Sequence, residues 1–136
     1  MKRDPRLRGL SSEHHHALVL ARTVTALVDA GRADDAADHL VDRFERELEP
    51  HFRVEEALLL PALRGVGEVA LVERTEADHA SLRALARAAR GGRRDGLVAF
   101  AERLTDHVRF EERELFPCCE ARLPAAVLDA VEQRGC

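Results

Sequence analysis

The chain has 136 residues, 46% of them hydrophobic and 34% charged, with five Phe and neither Tyr nor Trp. This length predicts a single domain over 1–136 with a core of its own, and a composition rich in Ala, Leu, Arg and Glu favours helix over sheet. A net charge of −4 with basic residues scattered among acids leaves no footprint for nucleic acid, and no stretch approaches a membrane span, so a soluble, cytoplasmic protein is expected.

A first helix is expected from Ser11 or Ser12, with serine as N-cap and Glu13 in the first turn, to the stop signal at Gly31. Leu7, Leu10, His14, Ala17, Ala21, Val24 and Val28 recur at spacings of three and four, the stripe a bundle helix turns inward. A second helix should run from Asp34 or Asp35 to about Arg64, with Leu40, Phe44, Leu48, His51, Glu55, Leu58 and Ala62 on one face. Pro50 and Pro61 bracket His51 and predict a bend there. After a short turn at Gly65 and Gly67, the third helix spans about Glu68 to Arg90 and turns Val72, Glu76, His79, Leu82, Ala86 and Ala89 inward. Beyond the loop GGRRDG (91–96), a fourth helix carries Leu97, Phe100, Leu104, His107, Glu111 and Leu115 inward and ends before Pro117. Pro124 opens a last amphipathic segment, PAAVLDAVEQR. Short connections between amphipathic helices predict an all-α, antiparallel up-down-up-down four-helix bundle over about residues 11–117, with a short C-terminal helical tail at 118–136.

Two segments repeat. HFRVEEALLLP (51–61) and HVRFEERELFP (107–117) share His, Arg, Glu, Glu, Leu and Pro at matching positions. Histidine and glutamate four residues apart lie on one helix face about one turn apart, so each segment aims an imidazole and a carboxylate at the same point. A lone HxxxE match arises about once by chance in such a chain, but the shared context does not. SEHHHALVLAR (12–22) also aligns with ADHASLRALAR (77–87), placing Glu13 and His14 over Asp78 and His79. The order His, HxxxE, His, HxxxE gives six candidate metal ligands: His14, His51, Glu55, His79, His107 and Glu111. Burying such groups unpaired costs several kcal/mol per ion, a cost that a cation removes. Nitrogen and oxygen donors without thiolate suit Fe, Mn or Zn, and two carboxylates able to bridge suit a metal pair, with di-iron the first choice.

Of three consecutive histidines on helix one, the stripe and the repeat rank His14 ahead of His15 and then His16. His39 is read as a solvated helix residue, and Arg53 and Arg109, two residues after a ligand histidine, as facing away from the metal. Cys118 and Cys119 are adjacent, which makes a structural disulfide between them awkward; they are read as small residues after Pro117 in reducing surroundings, and Cys136 as a frayed terminus. No acid, base or nucleophile constellation stands out beyond the ligands.

The ordered set of His14, HFRVE, the DH at 78–79 and HVRFE resembles the hemerythrin-like, or HHE cation-binding, family over nearly the whole chain, from about Leu10 to Pro117. That resemblance implies an antiparallel four-helix bundle around a non-haem di-iron site. Its two Fe ions would be bridged by Glu55, Glu111 and an oxo or hydroxo group, with the four histidines as terminal ligands. Two departures stand out. Oxygen carriers of the family have HxxxH on the third helix, where Thr75 stands here four residues before His79; their last motif is HxxxxD, and this chain has HxxxE. The ligands then fill about ten of about twelve octahedral positions, leaving room for water, O2 or a further side chain such as Glu76 or Glu56. The expected role is binding or sensing of O2, NO, a small anion or iron. A di-iron redox enzyme acting on peroxide, O2 or NO, and a structural Zn- or Mn-binding scaffold, are the alternatives.

Overall fold

The structure is a computed structural model that describes residues 2–134, and every regular element among them is helical. Helix α1 (Arg8–Asp29) follows a tight turn at Pro5–Leu7, where Asp4 accepts the Arg6 backbone N–H at 2.8 Å. The start expected at Ser11 or Ser12 is therefore overturned. A capping aspartate followed by a proline, whose fixed φ suits a first turn, begins the helix upstream, and Ser11 instead donates its hydroxyl to Glu112 at 2.7 Å. The chain leaves α1 through Gly31 at φ +76°, a left-handed conformation that favours glycine. Helix α2 covers residues 33–65, α3 is Val69–Ala88, α4 covers residues 94–122 and α5 is Ala125–Arg134. Cys136, expected to fray, lies outside the described residues. No described helix is long and apolar enough to cross a membrane.

Helices α2 and α4 continue without a break through Pro50, Pro61 and Pro117, so the expected stop before Pro117 is also overturned. The reason is local. Glu49, Leu60 and Phe116, each just ahead of a proline, donate their N–H groups five residues back, to the carbonyls of Phe44, Glu55 and Glu111. Proline lacks an N–H and its ring crowds the carbonyl four residues behind it; one extra residue in the preceding turn accommodates both. The wide turns also reset the register. In α2 the buried side chains after Glu55 are Leu59, Leu60 and Leu63, and Leu59 and Leu63 lie one residue beyond the expected Leu58 and Ala62. Steps of four drift around an ordinary α-helix. With a wide turn included, His51, Glu55, Leu59 and Leu63 all stay buried, as do His107, Glu111, Leu115 and Cys119 on α4.

Helix α1 packs against α2 and α4, α3 packs against the same two, and α5 closes over the Pro5–Leu7 turn and the wide turn at Glu55–Leu59. Two apolar clusters result. One gathers Leu20, Val24, Leu40, Phe44, Phe52, Leu82, Phe100 and Leu104; the other gathers Leu7, Leu10, Leu63, Val72, Phe110, Leu115 and Phe116 with Leu128 and Val131 of α5. Each buried Leu or Phe contributes about 1.5–3 kcal/mol, which lets the bundle tolerate a polar layer. On each of α1 to α4 the change from one cluster to the other falls beside a histidine.

Candidate metal centre

Among the described residues, the buried polar or charged side chains are His14, His51, Glu55, Thr75, His79, His107 and Glu111. Six of these are the candidate ligands. The seventh replaces Glu76, which the sequence reading turned inward on α3. Thr75 satisfies its hydroxyl on its own helix, donating to the Leu71 carbonyl at 2.8 Å, whereas Glu76 stays exposed and pairs with Arg64 at 3.2 Å. A lone carboxylate is costly to bury and a threonine that bonds its own backbone is not.

The six side chains form two groups that share both carboxylates. His14 and His51 meet Glu55 and Glu111 in one; His79 and His107 meet the same glutamates in the other, with the candidate donor atoms of each group within 4.8 Å of one another. Glu55 turns Oε2 to His51 Nε2 and Oε1 to His79 Nε2, both at 3.1 Å. Glu111 turns Oε1 to His14 Nε2 at 2.7 Å and His51 Nε2 at 3.5 Å, and Oε2 to His107 Nε2 at 3.0 Å and His79 Nε2 at 3.8 Å. Each carboxylate thus presents one oxygen to each histidine pair. His14 is the α1 histidine that enters; His15 and His16 are exposed.

These residues fit a cation. Both oxygens of Glu55, Oε2 of Glu111 and the Nε2 atoms of His79 and His107 are buried with no hydrogen-bond partner. They lie 3.0–3.1 Å from an opposite group without hydrogen-bond alignment, as expected for donors grouped around a common centre. Orphaned buried polar atoms cost about 1–3 kcal/mol each, and more if charged. The set holds nitrogen and oxygen donors only, which suits Fe, Mn or Zn.

The outer edge of every imidazole is also held. His14 Nδ1 lies 2.6 Å from Glu112, His51 Nδ1 2.7 Å from Glu13, His79 Nδ1 2.7 Å from Glu56 and His107 Nδ1 2.8 Å from Asp78. Glu56, left open as a ligand by the sequence, therefore faces the back of a candidate ligand ring, that of His79. Three of these acids are themselves clamped: Arg83 donates to Glu56 at 2.8 Å, Arg74 to Asp78 at 3.3 Å, and Ser11 and Arg3 to Glu112 at 2.7 and 3.2 Å. Phe52 stacks on His79 at 3.9 Å between centroids and Phe116 on His14 at 5.1 Å, which fixes those ring planes.

In the metal-free state burial disfavours every imidazolium, yet the surrounding carboxylates outweigh it. His107 is raised to about 10 and His79 to about 9, while His14 and His51 also lie above the usual histidine value. Glu111 is pushed up by burial but held well below the usual carboxylate range by His107 and its other imidazole neighbours. Glu112 drops to about 2, because hydrogen bonds from His14 and Ser11 exceed its desolvation.

The other residues singled out by sequence lie elsewhere. His39 is half-buried on α2, outside both groups, and Arg53 and Arg109 are exposed. Cys118 and Cys119 are free thiols, and burial pushes the Cys119 thiol well up. Glu13, Asp78 and Glu112 have no role at the centre in the sequence analysis, and Glu56 only that of a further candidate ligand, although each adjoins a candidate ligand and recurs in the repeats.

A family model of the hemerythrin HHE cation binding domain matches residues 7–119. No curated protein and no solved structure matches the chain.

Proposed function

The chain belongs to the hemerythrin HHE cation-binding domain family, and from that premise we propose that it is a non-haem di-iron protein that binds or senses O2, NO or iron. The reading rests chiefly on one observation: two fully buried glutamates each divide their oxygens between two histidine pairs. Such carboxylates can bridge two cations, with His14 and His51 holding one and His79 and His107 the other. Two irons so held would supply a two-electron redox change and open coordination positions for a small ligand. The protein's part is to keep the imidazole Nε2 atoms and glutamate oxygens converged, and to surround them with apolar clusters that exclude water. With helix connections of only a few residues, we also read α1 to α4 as an antiparallel up-down-up-down bundle.

Anaerobic loading with Fe(II), followed by exposure to O2 or NO while recording charge-transfer absorption, tests this function. A reversible spectral change at two irons per chain is expected. Continuous turnover of peroxide, O2 or NO with a reductant would make it a redox enzyme instead. Fully loaded protein that stays silent would refute the O2 and NO reading, and zinc or manganese in protein purified without added metal would favour the structural scaffold.

A further inference from the structure

The four acids behind the histidines form a closed circuit. Glu13 on α1 reaches His51 on α2, Glu56 on α2 reaches His79 on α3, Asp78 on α3 reaches His107 on α4, and Glu112 on α4 returns to His14 on α1. Every strut joins a ligand ring to a neighbouring helix. Each acid also adjoins a ligand in sequence: Glu13 and Asp78 precede His14 and His79, and Glu56 and Glu112 follow Glu55 and Glu111. One helix position thus supplies an inward ligand while the next holds the ligand of another helix.

We propose that Glu13, Glu56, Asp78 and Glu112 are positioning residues of the metal centre, acting in two pairs, Glu13 with Glu112 on one metal position and Glu56 with Asp78 on the other. This rests on the di-iron reading above. A carboxylate that accepts the Nδ1–H of an imidazole fixes the tautomer, so that the Nε2 lone pair faces inward, and makes the ring a better donor. The contacts of 2.6–2.8 Å are the short kind expected of charge-assisted hydrogen bonds. The pairing follows from the histidines served, since His14 and His51 form one group and His79 and His107 the other. Within the first pair Glu13 is the weaker hold. Its side chain is 41% exposed and lies on a surface cavity of about 340 Å³ beside His51, whereas Glu112 is clamped by Ser11 and Arg3.

The test is zinc titration of the full chain against a chromophoric chelator, with histidine 15N shifts identifying which rings are metal-bound. Unmodified protein should take two ions. Glu112→Ala and Asp78→Ala should each keep one ion near the unmodified affinity and weaken the other about 10–100-fold, at His14 and His51 in the first case and at His79 and His107 in the second. Glu112→Gln and Asp78→Asn, which retain an acceptor oxygen, should recover part of the loss. Glu13→Gln should weaken the same ion as Glu112→Ala, but by less. Thermal unfolding of the metal-free variants reports a purely structural role. Variants that lose only metal-free stability while their isotherms match the parent, or that weaken both ions equally, would overturn the proposal alone. Unmodified protein that takes no zinc would overturn the metal reading and the proposal with it.

Discussion

Glu111→Gln isolates the charge at the heart of the polar layer, because glutamine keeps the shape and opens no cavity. Glu111 is fully buried and its oxygens lie 2.7, 3.0, 3.5 and 3.8 Å from the Nε2 atoms of four histidines. Removing one partner of a buried ion pair costs about 3–5 kcal/mol, since the opposite charge is left without compensation. With four imidazoles depending on it, Glu111 belongs at the upper end. Glu55 faces only His51 and His79, at 3.1 Å each, so Glu55→Gln should cost less, about 3 kcal/mol at the lower end of the same scale. For a chain of this size, 4–5 kcal/mol lowers Tm by roughly 12–20 °C. The assay is thermal and urea unfolding near pH 6 with chelator present, followed by far-UV circular dichroism. A Glu111→Gln protein within about 1 kcal/mol of the parent, or less destabilised than Glu55→Gln, would refute the reasoning.

Metal-free protein should be most stable in mildly acidic solution. His79 and His107 titrate near 9 and 10 when folded, above the ordinary value of 6.5, so their contribution is complete below about 6.5 and is lost as pH rises through 9 and 10. Glu112, held at about 2, contributes fully above its ordinary 4.5 and loses that contribution as pH falls through about 2. Tm measured in chelator should therefore peak between about pH 4.5 and 6.5, and a peak above pH 8 would contradict these charge assignments. Phe52→Ala removes a buried ring stacked on His79 and edge-on to Phe44 and His107; a loss of about 3–5 kcal/mol in urea unfolding is expected, with the His79 and His107 position losing metal affinity first. Cys119 is fully buried and its thiol is pushed up by desolvation, while Cys118 is partly exposed. Peptide mapping after alkylation of native protein should find Cys118 modified and Cys119 protected until unfolding.

The histidines and glutamates were legible in sequence because each repeats in register with its surroundings and each falls on an apolar stripe. His14 stood out from His15 and His16 by its step to Leu10 and Ala17, all three of which are buried. The lower half of α2 was misread for a physical reason. A periodicity argument assumes a constant turn, and the turn at Glu55–Leu59 gains a residue because Pro61 cannot accept the ordinary geometry. That is why Leu59 and Leu63 replace Leu58 and Ala62. Glu76 and Thr75 both fit the stripe by spacing, and the choice falls on desolvation, which periodicity ignores. The start of α1 was written in Asp4 and Pro5, a cap signal that the more conspicuous serines masked. The circuit of acids had its trace in the Glu13–His14 and Asp78–His79 alignment and in the paired glutamates. Which ring each acid reaches depends on helix adjacency, and no single segment contains that.

Anomalous scattering at the iron edge, from crystals of protein loaded anaerobically with Fe(II), tests the central claim most directly. The account predicts two iron peaks per chain, one touching His14 and His51 and the other His79 and His107, with Glu55 and Glu111 contacting both. A single peak, or iron bound away from these six side chains, would contradict it.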